Sequence, residues 1–421
     1  MSITVVCGTN WGDEGKGRMV DYLAREADIV VRYQGGNNAG HTIVNDFGTF
    51  KLHLVPSGIF YPHTKNVLGP GMVIDLESLV EEIDLLTRSG FDTSNISISH
   101  RATICFPFNR QEDIWEEERL GKNAYGSTRK GIAPAYGDRY VKKAIQVGDV
   151  CDWPRFKRRL AEILDWKHLV HDRAGHSEDA FNYEALLEWA NHFGNKLRNR
   201  IRDTTEQLES ALAGGKRILF ESQLGALRDI YFGIYPHTTS SCTLASFAPV
   251  GGGLFSATPD KVIGVMKAFS TCVGEGPFPT EITGRAADEL RETANEFGAT
   301  TGRPRRIGHF DAVASAYGAM LQNATEIALT KLDSLSGQEE LLICTEYESE
   351  GSATGFPLNF TNVRPVYTRL PGWIEDISEC RRFADLPETA QTYVKRIESL
   401  VDRPILSVSV GPHREQLILR S

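Results

Sequence analysis

The sequence predicts an α/β protein: a large, mostly parallel central sheet flanked by helices, phosphate-loop NTPase-like in its logic, with helical and loop insertions. Three observations predict it. The chain has 421 residues, enough for a large core. Short apolar runs end in glycine turns and lead into stretches of helical spacing, the mark of βα units. The first two such junctions lie about thirty residues apart across a helix, so their loops should meet at the carboxyl ends of parallel strands, where open sheets bind ligands. We read residues 1–421 as a single large unit with no linker-bounded second domain, and 100–215 as a mainly helical insertion.

Composition is that of an ordinary globular protein, 41% apolar and 24% charged. A net charge of −9 excludes a general nucleic-acid surface but leaves room for a basic nucleotide pocket. Seven cysteines are scattered without CxxC or zinc spacing, which predicts reduced thiols and a cytoplasmic protein. The N-terminus runs straight into a strand without a signal peptide, and no apolar run approaches the roughly twenty residues of a membrane span.

Ile3 to Cys7 reads as a short buried strand. Gly8-Thr-Asn-Trp-Gly-Asp-Glu-Gly-Lys-Gly17 follows, with Gly12, Gly15 and Gly17 around Lys16, and Arg18 to Ala27 has helical spacing. Strand, glycine turn and helix start make an anion cradle: the first N–H groups of a helix lack partners, and the dipole adds roughly half a positive charge. The spacing is not that of the standard phosphate loop. Six residues separate Gly8 from Gly15, and Gly17 stands where a Ser or Thr belongs. The metal-binding hydroxyl is absent, while Asp13 lies inside the cradle, where a carboxylate repels phosphate unless it binds a metal or takes a proton.

Val30 to Arg32 begins a second strand, whose glycine turn carries Asn37, Asn38 and His41 at its tip. Lys51 to Val55 alternates like a strand, and Val67 to Ile74 reads as a strand-turn unit. Asp75 is a helix N-cap, with Leu76, Leu79, Val80, Ile83 and Leu86 on one face and Gly90 as the stop. Asn95 to His100 and Ala102 to Cys105 are strand-like. Gly121 to Gly137 reads as a loop in which Ser127, Thr128, Arg129 and Lys130 can hold a phosphate; the alternative is a bare surface loop. Residues 152–213 are helical, with faces at Leu160, Ile163 and Leu164, at Leu186, Leu187 and Ala190, and at Leu197, Ile201, Leu208 and Leu212. Gly214-Gly215 ends them, and Arg217 to Phe220 and Val262 to Met266 are strands. Arg303, Arg305 and Arg306 follow Thr300-Thr301-Gly302 and suit a carboxylate clamp. Glu326 to Thr330 is strand-like and ends in Thr330-Lys-Leu-Asp333, where a lysine stem can cover a purine and a carboxylate can accept two N–H bonds from guanine. Helix 388–400 and strand 405–410 close the sheet.

WGDEGKG followed by RYQGGNNAGHT resembles the adenylosuccinate synthetase family, and further matches run to the C-terminus. The family joins L-aspartate to C6 of inosine monophosphate (IMP) through a 6-phosphoryl intermediate, with GTP as co-substrate. The resemblance implies catalytic roles for Asp13 and His41, and Mg²⁺ held by Asp13 and the Gly40 carbonyl. It implies GTP binding by Gly12 to Gly17 (with Glu14, Gly15 and Lys16 among them), Gly40, His41, Thr42, Lys331, Leu332, Asp333, Ser409 and Gly411. IMP binding falls to Asp13, Lys16, Asn38, Ala39, Gly40, His41, Thr128, Lys142, Gln223, Leu224, Thr239 and Arg303. Aspartate binding falls to Ala299, Thr300, Thr301, Arg303 and Arg305. A homodimer is implied, with Lys142 reaching the neighbouring site where the family has arginine. Leu370 to Trp373 matches a segment of structural role.

The base pocket departs from the family. The base-recognising glutamine falls on Leu224, with Gln223 one residue early, and a family apolar residue falls on Arg228. Cys272 replaces an arginine, Cys242 begins a stretch that replaces the family's polar NTTA, and Pro304 stands among the arginines. These departures motivate an alternative, a related ligase acting on another 6-oxo purine nucleotide or analogue. A nucleotide-binding regulator is the alternative from another class, opposed by intact Asp13, Lys16, His41 and Arg303.

Overall fold

Residues 2–171, 178–298, 302–348 and 356–420 are described by the computed structural model. Ten strands form one sheet in the order Leu417–Leu419, Ile405–Ser409, Glu326–Thr330, Lys261–Lys267, Ser2–Gly8, Arg217–Gly225, Ile29–Arg32, Lys65–Leu68, Ile96–Ser99, Ile201–Arg202. Neighbours are parallel except the edge pair formed by Leu417–Leu419 with Ile405–Ser409. Ser2–Gly8 is central because it buries both faces, as parallel strands do. Ile3, Val5 and Cys7 pack with Leu208, Phe220 and Ala248 on one side, and Val6 packs with Met19, Val20 and Ala24 on the other. The loops after Gly8, Arg32, Gly225, Lys267, Thr330 and Ser409 therefore leave the sheet at its carboxyl edge.

Several expectations are corrected. The two opening strands are not neighbours: Arg217–Gly225 lies between them, with Glu221 opposite both Val6 and Arg32. That strand runs through Gly225 instead of ending at Phe220. The first helix is Lys16–Ala24, starting directly at the glycine turn. His41 opens a strand, His41–Asn45, paired antiparallel with Gly48–Leu52; the alternation at 51–55 is displaced toward this hairpin. Gly121 to Gly137 is only partly loop, because Ile132–Tyr140 is helix. The face from Leu197 to Leu212 is not one helix: Ile201 sits in a short strand between two helices. Gln338–Glu348 and Arg364–Trp373 form an antiparallel ladder that the sequence reading does not anticipate. Prolines 365 and 371 and a polar start mask its alternation.

Other elements stand where expected. Asp75 caps Leu76–Arg88 by accepting the Ser78 N–H. Trp153–His171, Tyr183–Leu197 and Thr204–Ala213 are helices, and Leu160, Ile163, Leu164, Leu186, Leu187 and Ala190 lie in the core. Trp373 is buried and its indole N–H donates to Ser336 Oγ at 3.1 Å, a structural role for that segment. Among the described residues, no helix is long and apolar enough to cross a membrane.

The base of the glycine turn is fixed by close packing. Thr9 N–H donates to the Val265 carbonyl at 3.1 Å. A Cβ added at Gly318, in helix Ala312–Leu321, would lie 1.7 Å from the Thr9 carbonyl oxygen. Gly318→Ala is therefore expected to destabilise the fold by about 1–3 kcal/mol, read as a lowered melting temperature; an unchanged one would contradict this packing.

Candidate active site

The glycine turn is filled from within by its own glutamate. Gly12, Asp13 and Gly15 all have positive φ, the left-handed conformation that lets the turn fold back tightly. The amides of Asn10 and Gly12 donate to Glu14 Oε1 at 3.1 and 2.9 Å, and Lys16 Nζ donates to Glu14 Oε2 at 2.5 Å. Glu14 is 2% exposed, in a slot kept open by glycines: a Cβ on Gly8 or Gly225 would lie 2.4 or 2.3 Å from its carboxylate oxygens. Lys16 and these amides, expected to face phosphate, are thus engaged by an internal anion, and Asp13 is the carboxylate left at the cavity.

His41 occupies the place of the missing hydroxyl. A Cβ at Gly17 would meet His41 Cδ2 at 2.6 Å, so the ring packs on the helix start where a serine or threonine side chain would stand. Its Nε2 lies 2.9 Å from Ser57 Oγ and 3.2 Å from Glu221 Oε1. Glu221 accepts both the Ser57 N–H and the Ser57 hydroxyl at 2.9 Å. The one hydroxyl proton goes to Glu221, so the His41 Nε2–H donates to Ser57. Burial holds the imidazole well below its usual range for protonation, and Arg32, His53 and Lys16 add to this. Burial pushes Glu221 up, while Arg32 and the Ser57 hydrogen bonds oppose that shift.

A cavity of about 550 Å³ opens beside the turn, lined by Trp11, Gly12, Asp13, Asn38, Ala39 and Gly40 from the two glycine loops. Its wall also includes the carboxylate residues Asp113, Glu116 and Glu117, and Tyr125 to Thr128, Leu224, Arg228, Tyr235 to Ser240 and Gly298. Asn38 Oδ1 and Trp11 Nε1 are buried there without protein partners. Asp13 is 24% exposed and forms an ion pair with Arg305, Nε to Oδ2 at 2.8 Å. Among the described residues, no three His, Cys, Asp or Glu converge as a metal cage. One carboxylate and one carbonyl, Asp13 and Gly40, fit a hard hydrated cation such as Mg²⁺ that takes its remaining ligands from phosphate and water.

The departures in the base pocket separate into two kinds. Leu224, at φ +60°, faces the cavity, whereas the Gln223 amide is spent on the second glycine loop. It donates to the Gly36 and Ala39 carbonyls at 2.8 and 3.1 Å and accepts from Gly36 N–H at 3.0 Å. Gln223 is therefore not brought to the cavity. Arg228 and Cys272 face each other: Arg228 Nη2 lies 3.1 Å from Cys272 Sγ, and the guanidinium donates to the carbonyls of His237, Val273 and Glu275. One arginine in this chain thus serves from position 228 the loop that begins at Cys272. Cys242 does not line the cavity. Thr128 and Thr239 do, and the backbone before Thr128 is held by Glu117, whose carboxylate accepts the N–H groups of Tyr125, Gly126 and Ser127 at 3.0 Å each.

The guanine candidates converge at the other side of the first helix. Asp333 Oδ1 is buried without a partner, an open acceptor. Burial pushes its carboxyl up, with Lys331 opposing. Lys331 Nζ donates to the Ala294 carbonyl at 2.7 Å, and Leu332 is buried beneath. Arg18, which the sequence reading gave only a place in the helix, donates to Ser409 Oγ, to the Gly411 carbonyl at 2.6 Å and to the His413 carbonyl at 2.6 Å. Thr42 is exposed on the hairpin beside His41. Lys142 is exposed and away from the cavity of its own chain. Arg303 is exposed; Ala299, Thr300 and Thr301 lie outside the described residues. Arg306 is paired with Glu281 at 2.5 Å, which takes it out of the expected three-arginine clamp.

Sequence reasoning also missed Ser57, Glu221 and Glu296. The available signal was position: Glu221 is an acid at the carboxyl end of an apolar strand, where a charge needs a reason. Two outcomes follow from the packing of His41. Gly17→Ser is expected to displace the ring and lower kcat by at least about a hundredfold, while a near-normal kcat would contradict the packing. By NMR, the His41 ring of the ligand-free protein is expected to titrate below pH 6.5; titration at or above that value would contradict its burial.

A profile described as adenylosuccinate synthetase matches residues 5–418. Adenylosuccinate synthetase 2 of Pseudoalteromonas translucida (strain TAC 125) is 49% identical over 424 residues, covering 100% of both chains. Adenylosuccinate synthetase of Shouchella clausii (strain KSM-K16) is 44% identical over 420 residues, covering 99% of this chain and 98% of that one. The structure of fully ligated adenylosuccinate synthetase from Plasmodium falciparum superposes with a TM-score of 0.91 at 34% identity, covering 100% of both chains. With the parallel sheet, the glycine cradle and the whole-chain match in agreement, this chain belongs to the adenylosuccinate synthetase family.

Proposed function

We propose that Asp13 and His41 carry the GTP-dependent ligation of L-aspartate to C6 of IMP, giving adenylosuccinate, GDP and phosphate. The observation that carries this assignment is Asp13 itself: the glycine turn's accessible carboxylate, on the cavity wall and paired with Arg305. Oxide is a poor leaving group, so O6 must be phosphorylated before the amine attacks. Asp13 takes the N1 proton, charge moves to O6, and O6 attacks the γ-phosphorus as GDP leaves. The amine of aspartate, held through Arg303 and Arg305, then forms the C–N bond as phosphate leaves and the amine gives up a proton. His41 donates to the transferring phosphoryl group once it releases Ser57 or takes a second proton, which the incoming negative charge favours. Asp13 and the Gly40 carbonyl would hold Mg²⁺, which would supply charge neutralisation at the phosphates. The open acceptor of Asp333 supports guanine recognition, with Ser409 and Gly411 held by Arg18.

A homodimer goes with this reading. Lys142 stands beside exposed Tyr140 and Val141, and Tyr231 and Phe232 are also exposed, an apolar surface suited to a second copy. The seven cysteines are free, which suits a reducing cytoplasm. A second reading, a ligase for a different 6-oxo purine nucleotide, is favoured by Leu224 alone, since an apolar side chain faces the cavity where the family reads the base with an amide. The test is turnover with GTP, L-aspartate and IMP beside a panel of other 6-oxo nucleotides. Product with IMP supports the first reading, and product only with another nucleotide selects the second. With the preferred nucleotide, Asp13→Ala or His41→Asn is expected to lower kcat at least about a hundredfold; near-normal turnover by purified Asp13→Ala would overturn the mechanism.

A further inference from the structure

The hairpin that carries Arg305 is seated on a buried ion pair that the chemistry above does not use. Its stem is tied by Arg305 N–H to the Glu296 carbonyl at 3.0 Å and Gly298 N–H to the Arg303 carbonyl at 2.8 Å. Lys267, at the carboxyl end of a central strand, donates to Glu296 Oε2 at 2.7 Å and to Thr271 Oγ1 at 2.8 Å. The same Glu296 oxygen accepts Arg305 Nη1 at 2.6 Å, and the other edge of that guanidinium reaches Asp13. Charges of alternating sign, Lys267, Glu296, Arg305 and Asp13, thus run from the core to the cavity.

This arrangement is poorly explained by stability. Burying an ion pair costs desolvation that its attraction barely offsets, and apolar replacements are often as stable. The Lys267 and Glu296 side chains are 3% and 0% exposed. Glu296 puts a single oxygen on both cations, and its Oε1 is buried without a partner. Burial works against the Glu296 charge, but Lys267, Arg305 and Lys331 outweigh it and hold the carboxyl below its usual range. The Asp13 contact lies at the open end of the row: Asp13 is 24% exposed, so a ligand in the cavity can compete for its place on the guanidinium.

We propose that Glu296, backed by Lys267, is a positioning residue that fixes the Arg305 guanidinium for the carboxylate of the amino-acid substrate. The substrate carboxylate takes over the share of the guanidinium that Asp13 holds, so that amino-acid binding frees Asp13 for the nucleotide. The proposal rests on the reading of Arg305 as a carboxylate receptor, and the test separates the two. Steady-state kinetics are measured for Arg305→Ala, for Glu296→Gln, for the paired Lys267→Met/Glu296→Gln variant, and for Arg305→Ala combined with that pair. The paired variant removes both buried charges together, so it does not leave Lys267 unpaired; melting with and without GTP verifies folding.

Arg305→Ala is expected to raise KM for L-aspartate at least about tenfold. Both Glu296 variants are expected to raise it about fivefold to tenfold, the cost of ordering a long side chain at binding, with KM for GTP and IMP within about twofold. On the Arg305→Ala background the pair is expected to add nothing. An unchanged KM for L-aspartate in the folded paired variant, or an additive effect on that background, overturns the positioning role. No effect of Arg305→Ala would sink the receptor reading and the proposal with it.

Discussion

The site depends on where the Glu14 carboxylate lies. It occupies a slot between Gly8 and Gly225 and takes two loop amides and Lys16. Removing one partner of such a buried pair typically costs about 3–5 kcal/mol, so the turn is set before any nucleotide arrives. With one acid fully committed, its neighbour Asp13 is turned toward the cavity at φ +59°. Two adjacent carboxylates are thereby set apart, Glu14 buried in its own loop and Asp13 at the cavity. A standard phosphate loop, with its shorter spacing and terminal hydroxyl, has no room for this division.

The sheet supplies the rest by register. Because Arg217–Gly225 lies between Ser2–Gly8 and Ile29–Arg32, Glu221 comes up under the first glycine loop beside buried Arg32. It holds Ser57, and Ser57 holds His41 against Gly17. The neighbouring strand on the other side ends in Lys267, which carries Glu296 and the arginine hairpin. His41 and Arg305 are therefore each backed by a buried charge on the central sheet, Glu221 through Ser57 and Lys267 through Glu296.

Much of this was legible in the sequence, and the limits have physical causes. Local signals were reliable: the strand-glycine-helix start, the Asp75 cap and the apolar faces of the helices at 153–171 and 183–197. Pairing between distant segments was not, because register is set by packing that no single stretch encodes. Nothing near Ile3 announces that residues 217–225 will separate it from Val30. The departures at 228 and 272 were each visible, but that they form one contact is a property of the fold. Gln223, adjacent in sequence to the base-reading position, points the other way because Leu224 takes φ +60° where the strand slips out of register with Ser2–Gly8. Glu14 was placed among the nucleotide ligands; its burial shows that it first serves its own loop.

The central claim is that Asp13 drives O6 of the nucleotide onto the γ-phosphoryl group of GTP. Oxygen tracing tests it directly. A 6-oxo nucleotide labelled with ¹⁸O at O6 is turned over with GTP and L-aspartate, and the released phosphate is analysed by mass spectrometry. The account predicts that the label passes to phosphate in step with product formation. Phosphate free of label, with the isotope released to water, would contradict it.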